Sequence, residues 1–180
     1  MRGMRILSID LEGISQGKYP QQLTRELTKE LLKISNSKNS KKEKSEIHFI
    51  SGYLDWIEQR YSQAMEHFEQ VEQDDPLSIL ARYLQAALYI EISMQEPQSG
   101  INPCVKAQHL FHAIQGSIFF PSIDTQNLEL SIEYCFPAQK LAQNQEPDFL
   151  RVNQLIANPK LSDFKRKQLL IQTLLFYQKL

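Results

Sequence analysis

The stretch that decides the fold is "GYLDWIEQRYSQAMEHFEQVEQDDP", residues 52–76. Its apolar side chains recur every three or four residues, which is the spacing of an amphipathic helix rather than of a strand. Gly52 and Ala64 are small enough to let two neighbouring helices approach closely, and Phe68 lies one turn beyond Ala64. Pro76 suits the first turn of a following helix, where its missing N–H is tolerated. The stretch therefore predicts a helical hairpin.

Helical spacing extends along most of the chain, and prolines separate the helical segments. The predicted helices cover residues 46–58, 61–73, 77–94, 104–117, 125–135, 138–144, 148–157 and 161–179. A leading stripe consists of Leu23, Leu27, Leu31 and Ile34. The last helix carries a stripe of Phe164, Leu169, Leu170, Leu174 and Leu175, preceded by the cap region Ser162 and Asp163. The chain is predicted to be all-α.

A chain of 180 residues with 42% apolar content is long enough for a single domain, residues 1–180, with one core. Residues 35–46 are predicted to be a flexible linker, because the run 36–46 has no apolar side chain that could offset the entropy of ordering it. Targeting or nucleic-acid binding by the lysines of this run is disfavoured, since Glu43 and Glu46 interrupt it.

The hairpin resembles the tetratricopeptide repeat, whose pattern is a Gly or Ala in the first helix, then Ala, an aromatic residue four positions later and a terminal proline. The best match is residues 45–78. A second repeat spans 79–121 with an insertion at 95–103, and 122–180 are degenerate helical repeats or a cap. The residues that correspond to repeat packing are Gly52, Tyr61, Ala64, Phe68, Pro76, Ala86, Ala107 and Phe111. The resemblance implies a TPR-like α-solenoid of antiparallel helix hairpins.

Proteins that contain this repeat hold peptides or partner helices on the inner face of their first helices, and they are rarely enzymes. The resemblance therefore implies a non-catalytic adaptor, scaffold or dedicated chaperone that binds a protein or peptide partner. The corresponding inner-face residues are Phe49, Tyr53, Trp56, Ile57, Leu80, Tyr83 and Ile90. The Lys and Asn of the carboxylate-binding members are replaced by Phe49 and Tyr53, so no carboxylate clamp is expected.

Two alternatives to this groove remain open. The aromatic stripe that contains Tyr53 and Trp56 could fill the protein's own core, as aromatic side chains on amphipathic helices commonly do. In that case the chain could be a structural helical subunit whose inner face is filled by its own C-terminal helix. A groove, by contrast, would expose Tyr53 and Trp56, which are residue types favoured as interface anchors.

Two sets of residues have the chemistry of possible metal ligands. Asp10 and Glu12 follow an apolar run at the spacing of a magnesium-dependent nuclease, but such a fold needs further strands, which the helical spacing excludes. The second set, Cys104, His109, His112 and Cys135, could include zinc ligands, but it lacks a paired C-x-x-C motif. We therefore expect no enzyme activity, metal or cofactor, with a metal-dependent enzyme as a distant alternative.

The net charge of −1 gives no reason to expect a nucleic-acid partner. Charge is uneven, with an acidic segment at 48–100 between basic segments at 1–47 and 101–180. This pattern fits solvated faces, intramolecular packing or a head-to-tail homo-oligomer. The sequence contains no secretory signal and no run long enough to insert into a membrane. Cys104 and Cys135 are too few for a disulfide framework, so a soluble protein in the reducing cytoplasm is expected.

Overall fold

The part of the chain that the computed structural model describes consists of Thr28, Lys29, Lys33 and residues 41–95, 102–117 and 125–179. Every regular element in these residues is an α-helix, and none of them is in a strand. The all-α prediction is therefore confirmed for this part of the chain. Several predicted features lie outside the described residues: Asp10, Glu12, the leading stripe Leu23, Leu27, Leu31 and Ile34, and most of the insertion at 95–103.

Seven helices run through the described residues and are numbered here in chain order. They are α1 (Lys41–Ile57), α2 (Tyr61–Glu69), α3 (Leu77–Gln95), α4 (Pro103–Gln115), α5 (Gln126–Ala142), α6 (Phe149–Ala157) and α7 (Asp163–Tyr177). None of these helices is long and apolar enough to cross a membrane. The chain divides into two compact units between Leu84 and Gln85, inside α3, whereas the sequence predicts one domain. We call them the first unit and the second unit.

In the first unit, α1 and α2 form a closely packed antiparallel hairpin. A Cβ built on Gly52 would lie 2.8 Å from Cε1 of Phe68 and 3.1 Å from the carbonyl oxygen of Ala64. The ring of Phe68 is buried, and Ala64 is fully buried. The glycine therefore lets the two helices approach until the Phe68 ring fills the space that a side chain would occupy.

The link between α1 and α2 is a Schellman motif. Gln59 has a positive φ of 61°, and its N–H donates to the carbonyl oxygen of Trp56 at 2.9 Å. The N–H of Arg60 donates to the carbonyl oxygen of Asp55 at 2.8 Å. These two bonds satisfy carbonyl groups that the end of α1 would otherwise leave without partners, so the chain reverses within three residues.

We expect Gly52→Ala to lower the free energy of unfolding of the first unit by about 1 kcal/mol. Ala ordinarily stabilises a helix interior by about 1 kcal/mol relative to Gly, but displacing the packed Phe68 ring costs about 1–3 kcal/mol. Gly116→Ala is the matched control, because a Cβ there would meet no atom closer than the His112 carbonyl oxygen at 3.6 Å. Urea unfolding would measure both, and a stabilised Gly52→Ala protein would contradict the close packing.

Helix α1 begins at Lys41, inside the predicted 35–46 linker. Ser45 is fully buried, and its hydroxyl oxygen accepts the backbone N–H of Glu72 at 3.1 Å. The start of α1 is therefore fixed against the turn that follows α2. The linker prediction is wrong over 41–46, because it considered apolar burial alone and not this polar contact across 27 residues.

Three of the four described helices that begin in the second unit start at side-chain caps. The side chains of Asn102, Asp148 and Ser162 accept backbone N–H groups in the first turns of α4, α6 and α7, respectively. The cap predicted at Ser162 is confirmed, since its hydroxyl accepts the N–H of Lys165 at 3.3 Å. A core cluster joins α5, α6 and α7, and it consists of Tyr134, Ala138, Leu141, Leu155, Leu161, Leu169 and Phe176.

Helix α5 continues through Pro137, where the sequence predicts a break between helices 125–135 and 138–144. A proline removes one backbone hydrogen bond and crowds the preceding turn, which usually ends a helix. Here Pro137 and its neighbours Ala138 and Leu141 are buried. Burial of these apolar side chains compensates for the backbone hydrogen bond that proline removes. Tertiary packing therefore keeps α5 continuous at a residue that usually ends a helix.

Candidate functional site

Most of the predicted inner-face residues are buried. Trp56 is 1% exposed, Tyr53 4%, Ile90 7% and Phe49 8%, while Ile57, Leu80 and Tyr83 are partly buried. Six of the seven belong to the first unit, and Ile90 belongs to the second. In this conformation a partner protein would therefore reach little of the Phe49, Tyr53 and Trp56 stripe.

Phe49 lies on the side of α1 that packs against α2, with its ring centroid 5.9 Å from that of Phe68. The sequence pattern places Gly52 in the hairpin contact, and the repeat resemblance places Phe49 in a separate groove. Residues three apart lie on the same face of a helix, so the contact between Gly52 and Phe68 also brings Phe49 to α2. This spacing was the signal that could have identified Phe49 as a packing residue.

The other residues assigned to repeat packing have the following environments. Ala86 and Ala107 are fully buried and Phe111 is 5% exposed, while Tyr61 is partly buried. Pro76 is exposed immediately before α3, where the side chain of Asp75 accepts the N–H of Leu77 at 2.9 Å. With Asp75 as the cap residue, Pro76 stands between the cap and Leu77, the first residue of α3, where no N–H is needed.

The largest exposed apolar surface among the described residues lies on α7. Its members are between 43% and 62% exposed: Phe164, Leu170, Ile171, Leu174, Leu175 and Tyr177. Phe164, Ile171 and Leu175 fall in one row along the helix, and the other three fall in the adjacent row. We call this surface the α7 face.

The opposite side of α7 is buried in the second unit. Leu169 is fully buried and Phe176 is 8% exposed, and both belong to the core formed with α5 and α6. Arg166 strengthens this attachment by donating to the carbonyl oxygens of Ile156, Asn158 and Leu161, each at 3.0 Å. Helix α7 is thus held firmly on one side and presents apolar side chains on the other.

The five residues predicted as one stripe on the last helix therefore do not share one side of α7. Of its five members only Leu169 is buried, whereas Phe164, Leu170, Leu174 and Leu175 are exposed. Apolar residues occur in consecutive runs in α7, so helical periodicity does not distinguish one face from the other. Leu170, Ile171 and Leu174 cannot share the side of the helix that carries Leu169 and Phe176, so the sequence indicated that part of the apolar surface would lie away from the core.

The charge on the α7 face is basic. Lys167 is exposed, and its helical neighbours at minus three, plus three and plus four are Phe164, Leu170 and Ile171. Asp163, the one carboxylate of α7, already pairs with Arg166 at 2.6 Å. The face therefore combines six apolar side chains with a lysine that no carboxylate of its own helix neutralises.

The cysteines are paired, which corrects the expectation that they remain reduced. Cys104 and Cys135 form a disulfide between α4 and α5, with their Cα atoms 5.7 Å apart, and both side chains are fully buried. They lie 31 residues apart in sequence, and only the packing of α4 against α5 brings them together. The zinc set proposed from the sequence therefore loses both of its thiolates, and His109 and His112 are exposed on α4.

Among the described residues, no group of three or more His, Cys, Asp or Glu side chains is arranged to hold a metal ion. One pair of histidines nevertheless meets across the hairpin. Nδ1 of His48 on α1 lies 3.5 Å from Nδ1 of His67 on α2. Partial burial, together with the nearby His67 and Lys44, lowers the pKa of His48 below its ordinary value of 6.5, so this imidazole is neutral at pH 7.

Comparison with protein-family models, with curated proteins and with solved structures finds no match for this chain. The function proposed below therefore follows from the residues and their packing.

Proposed function

We propose that this protein is a non-catalytic protein-binding module, an adaptor, scaffold or dedicated chaperone, that binds its partner through the α7 face. The exposure of six large apolar side chains on one helix carries this proposal. Contiguous apolar surface of this kind is uncommon on soluble monomers and usually marks an interaction site.

The partner that suits this face is an amphipathic helix with acidic residues beside its apolar stripe. Helix α7 has 15 residues, which corresponds to a length of about 22 Å, so a helix of about four turns would cover the face. A carboxylate on that helix would pair with Lys167. A second copy of α7 would instead add another basic helix, since α7 itself contains Lys165, Arg166 and Lys167 and one carboxylate, Asp163.

In this proposal the partner binds the α7 face and not the inner-face residues of the first unit. The burial of Phe49, Tyr53 and Trp56 supports the change, because a partner would have to open the hairpin to reach them. A TPR-like arrangement of the first hairpin remains part of the proposal. It is supported by the close approach of Gly52 to Ala64 and Phe68 and by Pro76 at the start of α3.

The test compares three full-length proteins: wild type, Ile171→Gln/Leu174→Gln, and the control Leu150→Gln. Ile171 and Leu174 are 58% and 62% exposed, and Leu150 on α6 is 69% exposed, so all three proteins should fold equally well. Each is used to capture proteins from the native host. A captured protein is then purified, and its affinity for each variant is measured by calorimetry.

We expect one partner to bind wild type and Leu150→Gln alike and to bind Ile171→Gln/Leu174→Gln about 10- to 100-fold more weakly. Lys167→Glu should also weaken binding, because the partner contributes a carboxylate at that position. Equal affinity for all variants would contradict the α7 face. A wild-type dimer in sedimentation, dissociated by Ile171→Gln/Leu174→Gln, would identify a second copy as the occupant and overturn the acidic-helix partner.

The second candidate is a structural helical subunit without a separate partner. Leu169 and Phe176 favour it, since they make α7 part of the core of the second unit. It predicts that the exposed residues of α7 are dispensable for every interaction of the protein. The same capture experiment distinguishes the two candidates, because a structural subunit would recover the same proteins with and without Ile171→Gln/Leu174→Gln.

A further inference from the structure

The histidine pair between α1 and α2 is not explained by helix packing. The Nδ1 atoms of His48 and His67 face one another at 3.5 Å, which exceeds the usual hydrogen-bond distance of about 2.7–3.2 Å for an N–H donor. The ring centroids are 5.8 Å apart, so neither ring stacks on the other. The two Nδ1 atoms, which come from different helices, therefore lie too far apart for a strong direct hydrogen bond.

We propose that His48 and His67 bind a divalent transition-metal ion between α1 and α2, with Zn²⁺ as the expected occupant. Two Zn–N bonds of about 2.0–2.1 Å that span the 3.5 Å between the Nδ1 atoms enclose an angle of about 115°. That value is close to the tetrahedral angle. A modest rotation of each imidazole ring about χ2, which has a broad energy minimum in histidine, turns both Nδ1 lone pairs toward the ion.

Asp55 supplies the outer support that metal-binding histidines usually have. Its Oδ2 lies 3.5 Å from Nε2 of His67, and this carboxylate favours a proton on Nε2, which leaves the lone pair on Nδ1 facing His48. Asp55 is itself fixed, because Nε of Arg60 donates to its Oδ1 at 2.9 Å. The carboxylate therefore both orients the His67 ring and sets its tautomer.

The surroundings attract cations. Residues 48–75 contain seven carboxylates and one basic residue, Arg60. Lys44 is the opposing charge, and it lies near His48. The His67 side chain is 36% exposed, so an ion and the water molecules that complete its coordination can enter from solvent.

Binding would connect α1 to α2 beside the contact of Gly52 with Phe68. Two protein ligands instead of four supply roughly half the binding energy of a structural zinc site, which corresponds to a Kd on the order of 1 to 100 µM. The site is thus expected to respond to the concentration of free metal rather than to hold zinc permanently.

The experiment is a calorimetric titration of the full-length protein with ZnCl₂ at pH 7.5. We expect one Zn²⁺ per chain, with affinity reduced at least tenfold in His48→Gln and in His67→Gln. The chain has four histidines, so His109→Gln/His112→Gln is a matched control that changes the other two and should bind as wild type does. Circular dichroism of each variant checks that the helices are retained.

Long-range ¹H–¹⁵N spectra of wild type provide a second readout that needs no substitution. Zn²⁺ should shift the Nδ1 signals of His48 and His67 and leave those of His109 and His112 in place. The proposal is overturned if wild type binds no Zn²⁺ at 100-fold excess, or if the signals of His109 and His112 shift instead. Binding that survives in folded His48→Gln and His67→Gln would overturn it as well.

Discussion

Reduction of the disulfide between Cys104 and Cys135 should lower the free energy of unfolding of the second unit by about 4 kcal/mol. The bond closes a loop between residues separated by 31 positions, and removing such a cross-link restores conformational entropy to the unfolded chain. An effect of this size is a large fraction of the 5–15 kcal/mol that typically stabilises a domain, as an order of magnitude. Reduced protein should therefore open around α4 and α5 under conditions in which oxidised protein stays closed.

Hydrogen exchange of the full-length protein with and without reductant measures this effect locally. Amides of α4 and α5 should lose protection on reduction, and amides of α1 and α2 serve as the internal reference. The double variant Cys104→Ala/Cys135→Ala is the control, since reductant should leave its exchange unchanged. Identical protection of α4 and α5 in oxidised and reduced wild type would show that the bond contributes nothing to stability.

The disulfide also bears on where the protein works. Buried disulfides persist in oxidising environments and are uncommon where cellular thiols keep cysteines reduced. Cys104 and Cys135 are fully buried, and Sγ of Cys135 lies 3.2 Å from the hydroxyl oxygen of Ser93. Because disulfides are uncommon in reducing compartments, this pairing does not support the compartment expected from the cysteine count alone.

Trp56→Ala is the second change with a large expected effect and should destabilise the first unit by about 3–5 kcal/mol. Trp56 is 1% exposed, and its ring meets that of Tyr53 edge to face with centroids 6.4 Å apart. Truncation of Trp56 to alanine would leave a cavity beside α1. The helices α1 and α2 would have to shift to fill it. If Trp56 were an exposed groove residue, the same change would cost less than about 0.5 kcal/mol.

Urea unfolding, monitored by circular dichroism and by hydrogen exchange of α1 and α2, distinguishes these two cases. Ile57→Ala is the matched control, because Ile57 is the next residue on α1 and is only partly buried. Its effect should be clearly smaller than that of Trp56→Ala. Trp56→Ala could instead fold with unchanged stability and fail to bind the partner. That result would show that the partner binds the inner face of α1 rather than the α7 face.

Local features of the chain were predictable because their causes lie within a few residues. The helical spacing around Gly52, Ala64 and Phe68 predicts a hairpin, and the described helices α1 and α2 form one. The cap at Ser162 was likewise predictable, since a serine at the N-cap position bonds to backbone N–H groups two or three residues ahead of it. Pro137 shows the limit of local reasoning, because burial keeps it inside α5.

Apart from the start of α1 and the continuation of α5 through Pro137, the sequence by itself determined the described helices, their approximate ends and the small residues of the first hairpin. The tertiary structure decided which side of each helix is buried, and it alone brought together Cys104 with Cys135 and His48 with His67. The reason is physical. Helix formation depends on neighbours within about four residues, whereas burial and pairing depend on packing between distant segments. Where a helix such as α7 is apolar on both sides, its sequence fits either orientation, and only the packing around Leu169 and Phe176 selects one.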